Sequence, residues 1–300
     1  MFCLLGFLMI YGTCYGSLGR DHAKKKFDRV VVPDSITDQG ERSGYVVLHY
    51  WDNYDFADTR HALSEEEMEK VFAHYINLMQ EVAPSVADSS IRGMMSKAAT
   101  DSLTFVSLAN LYERYLYDED SPTRNETLYV SALESVLSAP VLGELDKTRP
   151  AYLLDLILKN REGEPATDFT YTLEDGTTHT LYNTEADQLL LFFYNPDCVT
   201  CREVLGMLKL SSLASKGQDG KEVKVLAVYP YEDVDIWRGY IPEVPKEWIN
   251  AYDRDVVIFN YELYDLKTLP RLYLLDKDKK VVLKDVTYDE LMEFLQGKSE

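Results

Sequence analysis

From Ser43 to about Asn160, apolar positions recur at steps of three and four, the spacing of one face of a helix. Ser64-Glu65-Glu66-Glu67 reads as a capping box opening such a helix. Met68, Val71, Phe72, Tyr75, Leu78, Met79 and Val82 follow on one face, and Pro84 is expected to end it. Further stripes run through Ile91–Ala98, Leu103–Tyr117 and Thr127–Leu137. A last one follows Pro150 through Tyr152, Leu153, Leu156 and Ile157. Turn signals separate them at Asp120-Ser121-Pro122 and Ala139-Pro140. The pattern predicts a bundle of five or six helices over 43–160.

Beyond Gly163-Glu164-Pro165 the period changes. Phe169–Leu173 and Thr178–Tyr182 flank Glu174-Asp175-Gly176-Thr177, a hairpin signal. Leu189–Tyr194 is an unbroken apolar run and Val223–Tyr229 a second one interrupted only by Lys224, as in strands buried on both faces, with Gly217–Gly220 as the loop before the second. Arg271–Leu275 and Val281–Leu283 pair around Asp276-Lys277-Asp278-Lys279, and Tyr288–Gln296 closes the chain as a helix. The fold class is therefore α+β overall: an all-α N-terminal domain, then from 163 to 300 an α/β domain with a mixed sheet flanked by helices.

Three hundred residues suit about two domains. Acidic residues outnumber basic ones 51 to 31, a net charge of −20 that repels phosphate backbones and argues against a nucleic-acid partner. The apolar stretch Phe2–Tyr11, followed by small residues, reads as the core of an export leader over 1–19. No basic residue precedes it; the first is Arg20. Cleavage after Gly16 is one expectation, and lipid attachment at Cys14 is the other. Residues 20–42 carry no periodicity and read as a flexible tail. The expected location is the periplasm or cell envelope, with a membrane anchor if Cys14 is acylated.

Four cysteines are present: Cys3, Cys14, Cys198 and Cys201. Cys198-Val199-Thr200-Cys201 directly follows the buried run and precedes the amphipathic Val204, Leu205 and Leu208. Cys198 is thus expected at a helix N-terminus, where free N–H groups stabilise a thiolate, with Cys201 one turn on to resolve a mixed disulfide. Zinc needs four ligands, and neither a second such pair nor a histidine at ligand spacing accompanies this one. Redox use outweighs a structural half-site, and no metal or other cofactor is expected.

Residues 163–296 resemble the TlpA/ResA-like branch of the thioredoxin family. The resemblance rests on Gly163–Phe169, on Asp175-Gly176 through Leu181, on Leu191–Cys201, and on Thr268–Asp276. It implies a thioredoxin-like fold, a cis bond at Pro270 opposite the cysteines, and a Leu269 backbone that pairs with substrate. It also implies thiol–disulfide exchange on protein substrates, with a membrane-bound electron donor if the protein works as a reductant. The region 43–160 resembles a helical domain of unknown function that precedes thioredoxin-like domains in exported proteins of Gram-negative anaerobes.

Several positions depart from the family. Asp197 replaces a frequent aromatic and opposes ionisation of Cys198, with Arg202 as an offset. Phe192 stands where thioredoxins carry a buried acid, and Val204 where a Glu is common. These departures favour the alternative reading, a redox-inactive binding or scaffold protein; the intact cysteine pair and Pro270 oppose it. Tyr231, Trp237, Tyr240 and Trp248 could wall a substrate site, but packing beneath a loop is the favoured reading. The dense run Tyr50–Phe56 is likewise expected to be a packed helix end.

Overall fold

A computed structural model describes residues 27–58, 63–211 and 222–297. The leader, Cys14 and the loop Gly217–Gly220 lie outside the described residues. Helix α1 (Gln39–His49) opens inside the segment expected to be a tail, because the Asp38 carboxylate accepts the Glu41 N–H at 2.9 Å and caps it. Phe27, in the same segment, packs its ring 5.2 Å from Tyr50 and 5.4 Å from Trp51. Helix α2 (Glu65–Met79) carries the expected capping box between Ser64 and Glu67. It buries Phe72, Tyr75, Ile76 and Met79, and it ends before Val82.

Pro84 does not stop α2; it is the first residue of α3 (Pro84–Ala98). At that position a helix has no use for the missing N–H, and the ring presets the backbone. Helix α4 (Ser102–Leu116) is capped by Asp101, and α5 spans Glu126–Ser138. Helix α6 (Glu144–Leu158) contains Pro150 rather than starting after it. The Gly143 N–H donates to Asp146 at 3.1 Å and starts the helix upstream. Burial of Leu153, Leu156 and Ile157 offsets an interior proline's cost of about 3 kcal/mol.

The chain divides into two compact units after Leu128. In the first, α1 packs on α2 and α3, and α4 packs on the same pair. Tyr50, Trp51, Tyr54, Phe56 and Tyr75 form one aromatic cluster there, the packed helix end expected of that run.

The second unit holds the sheet. Strands β1 (Thr170–Thr172) and β2 (Thr178–Thr180) form the expected hairpin, shorter than its apolar flanks. Strand β3 (Gln188–Phe193) is buried at every residue; α7 (Val199–Leu210) and β4 (Val223–Tyr229) follow. Helix α8 (Val234–Tyr240) and a 3-10 turn (Ile241–Glu243) follow β4. Strand β5 (Ile249–Tyr252) is an addition to the expected elements, since Ile-Asn-Ala-Tyr offers no apolar run and pairing with β4, and at one position with β1, defines it. The short helix α9 (Val257–Asn260), strands β6 (Arg271–Asp276) and β7 (Val281–Leu283), and helix α10 (Tyr288–Leu295) complete the unit.

The order is β2-β1-β5-β4-β3-β6-β7, with β3 parallel to β4 and antiparallel to β6. One face packs Leu190 and Phe192 under α7 and α10. The other packs Leu189, Leu191 and Phe193 against Phe169 and Tyr264. Helix α6 is tied to this unit by Tyr152 donating to Glu262 at 2.8 Å and by Lys284 donating to the Ile157 carbonyl at 2.7 Å.

Candidate active site

Strand β3 ends at Phe193, and the chain turns through Asn195-Pro196-Asp197 before α7 begins. The Asn195 side chain accepts the Asp197 N–H at 2.9 Å, and the Cys198 N–H donates to the Asn195 carbonyl at 3.0 Å. This tight turn places Cys198 at the N-cap of α7, where its Sγ accepts the Cys201 N–H at 3.1 Å. The sulfur thus occupies the seat a Ser or Asp oxygen usually takes, at the positive end of a helix of 12 residues. Arg202 reaches back and donates to the Pro196 carbonyl at 2.6 Å, fastening the turn from the helix side.

The two sulfurs are unequal. Cys198 is partly exposed and followed by Val199, which is 60% exposed, whereas Cys201 is 1% exposed within the apolar layer of Phe192, Tyr194 and Leu205. They form a disulfide with Cα atoms 5.2 Å apart, inside the range such bonds span.

Because Phe193 lies opposite Arg271 in the β3–β6 register, the residues before β6 face the turn that bears the cysteines. The Leu269–Pro270 peptide there is cis, as the resemblance implied. Cys198 Sγ lies 3.4 Å from the Leu269 carbonyl oxygen, a distance at which the thiol of the reduced form can donate weakly. The structure therefore brings all four expected residues, Cys198, Cys201, Leu269 and Pro270, to one end of the sheet.

Sequence reasoning did not identify the parts that hold this arrangement. Arg271 pairs with Asp285 at 2.5 Å, with side chains 5% and 6% exposed, and pins the start of β6 directly after the cis bond. No periodicity marks two charges fourteen positions apart. Below the turn, the Tyr194 hydroxyl donates to Asn250 Oδ1 at 2.9 Å, and Trp237 Nε1 donates to the same oxygen at 3.0 Å. Burial, and then the neighbouring Tyr240 phenol, push Tyr194 above the usual tyrosine range, so it stays neutral. Tyr231 packs edge-on to Tyr229 and Phe259, and Trp237 is fully buried against Tyr252, the packing reading favoured for these two, whereas Trp248 is partly exposed. Asp197 is exposed beside Cys198, and Phe192 is buried where a thioredoxin carries its acid.

A strand, a tight turn, a helix capped by the first of two cysteines and a facing cis-proline strand define a thioredoxin-like protein, and the chain belongs to that family. A crystallised thioredoxin-like protein from Bacteroides caccae is 40% identical, covering 92% of this chain and 99% of its own, with a TM-score of 0.85. The C-terminal domain of an uncharacterized protein from Bacteroides fragilis is 44% identical over 46% of this chain and 98% of its own, with a TM-score of 0.44. The thioredoxin domain of a thiol-disulfide oxidoreductase from Bacteroides vulgatus is 21% identical over 47% of this chain and 99% of its own, with a TM-score of 0.40. Residues 14–160 match a family described as a domain of unknown function (DUF5106). No curated protein matches the chain.

Proposed function

We propose that the protein is a thiol–disulfide oxidoreductase of the TlpA/ResA type, acting on protein cysteines in the cell envelope. The observation that carries this reading is the asymmetry of the pair: a partly exposed Cys198 at a helix N-cap, a buried Cys201, and a cis-Pro270 strand facing both.

In the reducing direction, the Cys198 thiolate attacks one sulfur of a substrate disulfide. That S–S bond breaks, the second substrate sulfur leaves as a thiolate and takes a proton, and a mixed disulfide forms. Cys201 then loses its proton and attacks Cys198 Sγ, releasing the other substrate sulfur and closing the Cys198–Cys201 bond. Two electrons pass to the substrate, and a membrane-bound dithiol donor would restore them. Run backwards, the same steps oxidise a substrate dithiol. The Leu269 backbone aligns the substrate strand beside Cys198. A lipid on Cys14, or cleavage of the leader, would set whether the domain works tethered or free.

The test is the Cys201→Ser variant expressed in the envelope. It should accumulate mixed disulfides that dissolve on reduction and vanish when Cys198→Ser is added. Absence of any trapped adduct, with a double-serine variant that retains full cellular function, favours the scaffold reading instead.

A further inference from the structure

An open groove of about 800 Å³ lies between the β1–β2 turn and the segment from Ile241 to Asn250. Leu173, Val244 and Trp248 give it apolar walls, and Glu174 and Asp175 outnumber Lys246 among its charged neighbours.

One strand edge opens into this groove. In a parallel ladder, alternate residues of a strand bond to a given neighbour. The Asp253 N–H donates to the Tyr229 carbonyl at 2.9 Å, so Ile249, Ala251 and Asp253 face β4. The N–H and C=O of Asn250 and Tyr252 therefore face away, towards β1. Tyr252 meets Thr172 there, the single position at which β1 pairs with β5. Opposite Asn250 the next partner in the ladder is Glu174, but the chain has already left the sheet. Leu173 N–H bonds the Thr177 carbonyl at 2.9 Å, and Gly176 N–H bonds the Leu173 carbonyl at 3.0 Å, closing the hairpin turn. The Asn250 side chain is engaged in the core instead, its oxygen shared by Tyr194 and Trp237, so only its main chain is open.

A main-chain donor and acceptor left open beside an apolar hollow are complementary to an extended peptide. We propose that this groove binds an extended polypeptide segment as a short strand added beside β5. The segment takes the ladder place that Glu174 leaves, pairs its backbone with Asn250, and lays an apolar side chain on Trp248 and Val244. Glu174 and Asp175 favour a Lys or Arg next to that side chain. The site needs no thiol and goes beyond the redox reading.

The experiment uses the full chain carrying Cys198→Ser and Cys201→Ser, titrated by calorimetry with the capped peptide Ac-Thr-Val-Leu-Lys-Thr-NH2. Hydrogen exchange of residues 249–252 is followed in parallel. Saturable binding is expected, with slowed exchange at Asn250 and about tenfold weaker binding of the same peptide N-methylated on alternate amides. Adding Glu174→Lys, at an exposed position of the groove, should weaken binding of this lysine-bearing peptide about tenfold while the far-ultraviolet spectrum stays unchanged. No saturable heat up to about 5 mM, equal affinity of the N-methylated peptide, or protection confined to other segments would overturn the proposal. Since this variant cannot exchange disulfides, the outcome is separate from that of the Cys201→Ser trap.

Discussion

The position of the Cys198 sulfur is what the proposed chemistry rests on. In the proposed reading, a Cys198 thiolate is stabilised by the Cys201 N–H and by the positive end of α7. The adjacent Asp197 carboxylate works against this, being exposed and one position away. Asp197→Asn should therefore raise the thiolate fraction of reduced Cys198, read as faster iodoacetamide alkylation near pH 7; a slower rate would reverse the sign assigned to that carboxylate. In the helical unit, Asp52 illustrates a purely structural charge. The Lys97 ammonium, donating at 2.6 Å, and then His49 at 2.6 Å hold its carboxyl below the usual range. A folded-state pKa below the unfolded value of about 3.9 gives stability that is present above that value and lost as pH falls through the folded pKa. Asp52→Asn should lower urea stability at pH 7 by no more than about 1 kcal/mol, since the side chain is 45% exposed, and the difference should shrink towards pH 3.

Among the elements, α7 and β3 announce themselves through an apolar run and an amphipathic stripe with two cysteines between them. The start of β6 depends on something less visible. The buried Arg271–Asp285 pair anchors the residue that follows the cis bond, so losing Asp285 removes a charge-assisted hydrogen bond from a buried guanidinium. Asp285→Ala should cost about 3 kcal/mol in equilibrium unfolding and slow the thiol exchange of the folded protein. If stability fell but the exchange rate per folded molecule did not, the pair would have no part in shaping the site. The two prolines expected to punctuate helices, Pro84 and Pro150, show the limit of local signals. A proline breaks a helix only where the N–H it lacks was needed, and that depends on where the helix starts. Strand β5 has the converse problem: four residues with one fully buried side chain become a strand only because β4, and at its end β1, lie alongside.

Across the whole molecule, a net charge of −20 acts on encounter rather than on fold. A basic protein disulfide should be reduced faster than an acidic one of equal accessibility at low salt, and about 0.5 M NaCl should erase the difference. Equal rates at low salt would place the approach to Cys198 outside the reach of that field. The composition shift at Gly163-Glu164-Pro165 and the compact division after Leu128 fall at different places. Texture follows the change from helix to sheet, whereas compactness follows contacts, and α6 makes its hydrogen bonds to residues near Glu262 and Lys284.

Periodicity, run length and the spacing of two cysteines are local properties, and they were enough to define the helical half, the central strands, and the cysteine pair at a helix start. The partners of Arg271, the network under Tyr194, the strand status of Ile249–Tyr252 and the open edge beside Asn250 all join residues far apart in the chain. Such contacts leave no period to read, because each exists only once the backbone has closed around it.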